Sequence, residues 1–542
     1  MRSEFIRIYK SVHTWTGIIA GLALFIAFYA GAFAVFKAPI NQWVSPEVEA
    51  PATPFARSDR LIKETLEKYP EVKKGFTLQV DDSVSNPSRL NWEIREEGEE
   101  QEHQPATMMG AGFDRQGNLQ VAEQHPSELA NFIDTLHRVV GLPIDSDANR
   151  WIMGVIAVLY TLAMISGLIV LLPSLVKDFF ALRVGKNIKR MWLDAHNIVG
   201  IISLPFHLVM ALTAVVFAFH DGIYSVQNSV WHKGEFAAAG RTAPPAKLKI
   251  ATNNTTLLPV GTLLQQAKNY APNLVITSLQ YQHLEGPKAT VRVWGNDDSA
   301  VMPRARGGFL VIHPYTGKLL NKEFLPGQQN TANAVISSFF ALHMASFGGV
   351  SVAWMYFILA MMGAWLFYSG NLLWLESRRK KTNKQTGEVP TQRKDVRWMA
   401  ALTVGVCSGC VIGISLAMAV TKVVSIFHID TTIYLPVYYV AFFFAIGWAF
   451  FKGAANSLVP LLWMCVLSTL CIPLSSCINA FVFQSYTGEI SIDLTAILGS
   501  SLFIWLTVST ETRLAKSPPD SVWFQARKQT ALNQQKIISA IK

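Results

Sequence analysis

Cysteine is almost absent from the polar parts of this chain. All five, Cys407, Cys410, Cys465, Cys471 and Cys477, lie in or beside apolar runs, so no disulfide framework is implied. Charge is scarce too, at 15% of residues against 51% hydrophobic, with a mean hydropathy of +0.27. That balance excludes an ordinary soluble domain and points to an integral membrane protein. No G-x-G-x-x-G run follows a strand-like segment, so the chain carries no nicotinamide or flavin fingerprint. The formal charge of +10 does not imply nucleic acid, because the bases cluster beside the apolar runs. The first such run, 12–36, is too long for a signal-peptide h-region and lacks a small-residue cleavage site, so we expect a retained helix.

Apolar spans fall at 12–36, 151–172, 192–219, 335–375, 398–421, 432–451, 456–484 and 491–509. Lys and Arg crowd 1–10, 177–190, 378–397 and 513–542, all on one side when eight helices are threaded in order. We therefore expect both termini in the cytoplasm and 37–130 and 221–333 on the outer face, the periplasm of a bacterium. The partition is 1–36 first span, 37–130 first outer module, 131–172 interfacial helix and second span, 173–190 cytoplasmic loop, 191–220 third span. It continues as 221–333 second outer module, 334–376 fourth span, 377–397 basic linker, 398–510 four further spans and 511–542 tail. In the second module 258–271 has helical spacing, while 275–282, 288–294 and 308–313 alternate like strands. Pro314-Tyr315-Thr316-Gly317 is a turn leading into Lys318-Leu319-Leu320. In the first module 58–69 is helix-like, and 113–119 stands where 312–319 stands in the second.

The stretch from Asp194 to His220 organises the rest. It holds no Asp, Glu, Lys or Arg from His196 to Phe219, yet contains His196 and His207. An imidazole in hydrocarbon is costly without a partner and marks a functional position by default. Eleven residues apart on one helix, the two rings would lie on one face, roughly 16 Å apart along the axis, as metal or haem ligands.

The histidines belong to a repeat. His13-x3-Gly17 opens the first span and His196-x3-Gly200 the third. Leu136-His137-x3-Gly141 precedes the second span, and Leu342-His343 with Gly348-Gly349 begins the fourth. Ser166-Gly167 and Ser369-Gly370 close them. Such parallel duplication implies an approximate two-fold axis along the membrane normal.

This double unit resembles the PepSY-associated transmembrane family, which includes iron-regulated inner-membrane proteins and siderophore-iron reductases. The residues that carry the resemblance are His13-Thr14-Trp15-x-Gly17, Leu136-His137-Arg138, Asp194-Ala195-His196-x3-Gly200, Leu342-His343-Met344 and Phe347-Gly348-Gly349, within about 5–376. It implies a mostly α-helical membrane protein: a haem-binding four-helix core, two periplasmic α+β PepSY-like modules and four extra C-terminal transmembrane helices. It also implies b-type haem between the core helices and electron transfer to a periplasmic ferric chelate.

Each low-spin haem takes one axial ligand on each face. The repeat supplies His13 with His196, and His137 with His343. His207, whose counterpart in the first repeat is Leu24, competes with His137 as partner to His343. Gly17, Gly21, Gly200, Gly348 and Gly349 leave room for a flat macrocycle or serve close helix packing. Arg138 and Arg150 suit haem propionates, an anionic chelate or lipid headgroups. Trp15, Trp151 and Trp354 read as interfacial belt residues, and Cys407-Ser-Gly-Cys410 as packing within a span. His103, His125, His220, His232, His283, His313 and His428 show no ligand spacing, and the acidic run 96–100 reads as a solvated loop.

The expectation is an inner-membrane electron-transfer protein with two b haems that reduces a ferric siderophore or other ferric chelate and releases Fe(II). Quinol or a separate reductase would be the donor. The competing expectations are a transporter, whose spans show only Lys422 at an edge and no paired relay, and a non-catalytic sensing regulator.

Overall fold

The computed structural model describes residues 3–45, 53–80, 88–94, 107–124, 127–176, 188–230, 256–302, 307–427, 432–482 and 489–525. His103, His125, His232, His428 and the acidic run 96–100 lie outside them. In chain order the helices are α1 Ser3–Ala34, α2 Lys37–Val44, α3 Ser58–Lys68, α4 Leu129–Arg138, α5 Asp147–Leu171, α6 Ile188–Ile202 and α7 Leu204–Val230. They continue as α8 Val260–Tyr270, α9 Thr331–Met344, α10 Gly349–Ser377, α11 Lys394–Val424, α12 Tyr434–Lys452, α13 Ala454–Phe481 and α14 Ile490–Leu514. The strands are β1 Gly75–Gln79, β2 Leu90–Ile94, β3 Thr107–Phe113, β4 Leu119–Gln124, β5 Val275–Gln282, β6 Thr290–Asn296, β7 Gly308–Ile312 and β8 Leu319–Asn321. The chain is a mostly helical membrane protein, and eight described helices are long and apolar enough to span a bilayer. It divides into a helical unit (1–45, 127–218 and 356–542) and a sheet unit (46–126 and 219–355).

In the sheet unit every strand pairs antiparallel, in the order β4-β3-β2-β1-β5-β6-β7-β8. The helix read in the first module and the helix and strands read in the second appear, but the modules share one sheet. Their first strands, β1 and β5, pair at its centre, with Phe76 opposite Tyr281 and Leu78 opposite Leu279. The two rings stack with centroids 4.5 Å apart. Alternation sends Phe76, Leu78, Val291 and Val293 to the face where α3 brings Leu61 and α8 brings Leu263. Each large side chain buried there contributes about 1.5–3 kcal/mol. The halves are also tied by a cap: the Val260 amide in the first turn of α8 donates to Asp59 Oδ1 of α3 at 2.7 Å.

Two spans differ from the sequence reading. The single helix expected over 192–219 is broken at Ser203 into α6 and α7. Pro205 follows directly, has no amide to give Ile201, and its ring opposes that carbonyl. His196 and His207 therefore sit on separate helical pieces. The run expected over 335–375 is likewise split into α9 and α10, with Ala345, Gly348 and Gly349 all at positive φ. The connection from α4 to α5 turns in the same way. Val140 has φ 53, and the Gly141 amide returns to the Leu136 carbonyl at 2.8 Å, the 6→1 bond of a Schellman ending. A β-branched residue at positive φ costs about 1–3 kcal/mol and persists only where its surroundings hold it.

Helix α11 is the packing hub of the C-terminal spans. Gly405, Gly409 and Gly413 lie one turn apart against α12, where a Cβ would come within 2.7 Å of Ile446 Cα, 2.9 Å of the Phe442 carbonyl and 2.8 Å of Tyr438 Cδ2. This is close packing through small residues. Cys407 and Cys410 are buried, free thiols in this helix.

Asp59→Ala should destabilise the sheet unit by about 1 kcal/mol, with Asp59→Asn nearly neutral. Hydrogen exchange of β5 in the intact protein measures this, and equal exchange in Ala and wild type would contradict it.

Candidate functional site

The site is built from histidines and the backbone opposite them. His13 of α1 donates Nδ1–H to the Ala163 carbonyl of α5 at 2.7 Å. The ring can come so close because Gly167, one turn on, has no side chain: a Cβ there would lie 2.8 Å from His13 Cε1. Ser166 Oγ donates to the same carbonyl at 3.1 Å. The second repeat builds the same socket. His196 Nδ1 of α6 lies 3.0 Å from Ser369 Oγ of α10. Ser369 Oγ in turn donates to the Leu366 carbonyl at 2.9 Å. Gly370 faces the ring, where a Cβ would be 3.5 Å from Cε1. Beside His196, Asp194 is fully buried and paired with Arg190 at 3.1 Å.

The Ala163 carbonyl only accepts, and Ser369 Oγ has given its own proton to Leu366, so each Nδ1 carries the proton and a neutral ring keeps its lone pair on Nε2. This is the tautomer that a metal-ligating histidine takes when its other nitrogen is held by a second group. The His13 and His196 rings stand 6.3 Å apart, centroid to centroid, at 71°. Bonds of about 2 Å from each ring to a shared metal ion give a similar separation. A Cβ added to Gly17 would meet nothing within 4 Å, and one on Gly200 would only touch Leu366 Cδ1 at 3.7 Å. Both glycines leave space one turn from the paired rings. Gly21 does not, since a Cβ there would be 3.0 Å from Asn371 Oδ1. Gly348 and Gly349 serve a left-handed turn instead.

His137 repeats the socket a third time. It lies in the last turn of α4 and donates Nδ1–H to the Ala27 carbonyl of α1 at 2.7 Å. A Cβ on Gly31 would sit 2.7 Å from Nδ1. The three sockets thus share one pattern, Ala27-x3-Gly31, Ala163-x3-Gly167 and Leu366-x3-Gly370. His343 lies in the last turn of α9, with Ala345 left-handed two residues on, and belongs to the sheet unit. His207 is buried at 3% exposure. Its Nδ1 lies 2.5 Å from the Tyr160 hydroxyl, which also donates to the His207 carbonyl at 3.2 Å. Its Nε2 has no hydrogen-bond partner. Phe28, Phe206 and Phe367 surround the ring at 5.4, 5.8 and 6.3 Å.

Arg138 and Arg150 both bind Asp145, Arg150 at 2.9 Å, and Arg138 also reaches Asp134 at 3.4 Å. Burial raises the Asp145 pKa, but the two guanidiniums outweigh it and hold the carboxyl below its usual range. Arg378 lies 5.6 Å over the Trp15 ring and 4.1 Å over Trp374. Trp151 is exposed and Trp354 half-buried. His220 pairs with Asp221 at 3.1 Å, and among the described residues no three His, Cys, Asp or Glu side chains group as a metal cluster.

Sequence reasoning located the histidines but missed Ala27, Gly31, Ala163, Leu366 and Tyr160. The signal available was the glycine in each socket. Overpacking a socket should cost about 1–3 kcal/mol, so Gly167→Val should lower the melting temperature of the purified protein while Gly17→Ala leaves it unchanged. Equal melting of the two variants would contradict the socket.

None of the curated proteins matches this chain. The family profile of the PepSY-associated TM region matches residues 10–377, which takes in α1 to α10, both histidine repeats and both halves of the sheet, and stops before α11. The chain belongs to the PepSY-associated transmembrane family.

Proposed function

We propose that this protein is a dihaem b-type electron carrier of the bacterial inner membrane that reduces a ferric siderophore or other ferric chelate on the periplasmic side. The observation that carries the reading is the His13–His196 pair. Two rings from different helices stand edge to face at 6.3 Å, His13 with Nδ1–H given to the Ala163 carbonyl and His196 with Nδ1–H given to Ser369 Oγ, and each keeps a lone pair on Nε2 for a metal. These two residues would hold one haem. His137, in the same kind of socket, would be a ligand of the second. His207, whose buried Nε2 has no partner, is the alternative ligand.

Haem, when bound, supplies a one-electron carrier whose potential follows from axial ligands, hydrogen bonds and burial. The chain's residues do the positioning. The Ala27 carbonyl at His137, the Ala163 carbonyl at His13 and Ser369 Oγ at His196 orient the rings through Nδ1 and raise the basicity of Nε2. Lys37, Arg138 and Arg150 together exceed Asp134 and Asp145 by one positive charge and would meet a propionate or an anionic chelate. The basic segments 1–10, 177–190, 378–397 and 513–542 support cytoplasmic termini, with the sheet on the periplasmic side. Quinol or a separate reductase gives up the electron, and the chelated Fe(III) takes it. The lower charge of Fe(II) weakens its hold on anionic oxygen ligands, and iron leaves. Neither a transporter nor a sensing regulator is favoured by an observation of its own.

The test is anaerobic mixing of dithionite-reduced protein in nanodiscs with a ferric hydroxamate chelate and a chromogenic Fe(II) chelator. Wild type should release Fe(II), and His196→Ala should do so about tenfold more slowly. Failure of the wild type to release Fe(II) would overturn the reductase reading.

A further inference from the structure

The four helices beyond the family match grip the elements that carry His137. Helix α2 ends inside them, with Trp43 and Val44 almost fully buried. The last carbonyls of a helix have no partner within it, and here α11 supplies them. Lys422 Nζ donates to the Trp43 carbonyl, and Ser425 Oγ donates to the Val44 carbonyl at 2.8 Å. On the other side Trp43 Nε1 donates to Ser476 Oγ of α13 at 3.0 Å, and Ser476 Oγ donates to Asp493 of α14 at 2.9 Å. Lys422 and Asp493 interact electrostatically, so the lysine that stood alone at a span edge in the sequence has both a carbonyl and a carboxylate. Asn479 Nδ2 closes the network on the Lys422 carbonyl at 2.9 Å.

From α2 the chain of contacts continues to α4. Lys37 pairs with Asp134 at 3.1 Å, and Asp134 also meets Arg138, next to His137. Phe132 of α4 packs against Tyr434, Tyr438 and Tyr439 of α12 at 5.0, 5.4 and 6.2 Å. The Tyr439 hydroxyl donates to the Gly141 carbonyl at 2.8 Å. That carbonyl directly follows Val140, the valine held at φ 53.

We propose that α11–α14 are a brace for the His137 turn, with Tyr439 as the positioning residue that holds Val140 and Gly141 in their left-handed conformation and α2 as the strut that Lys422, Ser425 and Ser476 anchor. The consequence for the outer centre rests on His137 being a haem ligand. Inner and outer centres then respond differently, because His13 and His196 touch none of these groups.

Two readouts separate the brace from the haem reading. Hydrogen exchange over 129–146 in the full chain should run about fivefold faster in Tyr439→Phe, with α1 and α5 unchanged. Val140→Gly should suppress that effect in the double variant, because glycine takes the left-handed turn without strain. Lys422→Met should loosen the same segment, and Lys422→Arg should restore it. In an optical redox titration Tyr439→Phe should shift the reduction equilibrium of the outer centre about fivefold and leave the inner one unmoved. Unchanged exchange over 129–146, failure of Val140→Gly to suppress, or equal shifts at both centres would each overturn the brace. A haem-free wild type would overturn the haem reading, while the exchange experiment still decides the brace.

Discussion

A histidine between apolar helices has two nitrogens to satisfy and no water to satisfy them. In this protein one of the two is answered three times by the same device. A helix carbonyl, or in the case of His196 the Ser369 hydroxyl, accepts Nδ1–H, and a glycine beside the acceptor lets the ring lie close enough to reach it. A backbone carbonyl in a helix has two lone pairs, so it can take a ring N–H beside its bond along the ladder, and at Ala163 the Ser166 hydroxyl shares it. What remains on His13 and His196 is a lone pair on Nε2 in a fixed direction. The helix spacing, the placement of glycines and the pairing of His13 with His196 all follow from keeping that arrangement in a medium where an unmet polar group is expensive.

Duplication explains why the device recurs. His13 with Ala163, Ser166 and Gly167 is matched by His196 with Leu366, Ser369 and Gly370, serine hydroxyl included. The sheet unit carries the same history. Its halves meet through β1 and β5, where Phe76 stacks on Tyr281, and Asp59 of one half caps the helix of the other. The repeats have also diverged: Leu24 stands where the second repeat has His207, a ring enclosed by aromatics with one nitrogen on Tyr160.

Much of this was legible in the sequence. The eight spans, the strand alternation and the repeated histidines are patterns in side-chain type, and sequence records side-chain type. The sockets were not legible, because the acceptors at His13 and His137 are carbonyls and a carbonyl has no letter. Gly167 and Gly370 were visible as the ends of each repeat unit, but not which ring they faced. The join between β1 and β5 was hidden for the same reason, since strand edges pair through backbone. The break at Ser203 was legible and was overridden by hydropathy: Pro205 lies in plain view inside the run. Arg138 and Arg150 looked free to meet an anion, yet Asp145 already lies between them. Its distance in sequence from Arg138 gave no helical pairing to suggest it.

The central claim is that these fixed lone pairs exist for iron porphyrin. The most direct measurement is the haem content of the full chain purified from haem-replete cells, by pyridine haemochrome against quantitative amino-acid analysis. The account requires two b haems per chain in wild type and loss of one in His13→Ala. A colourless, folded protein would contradict it, as would a haem content that His13→Ala leaves unchanged.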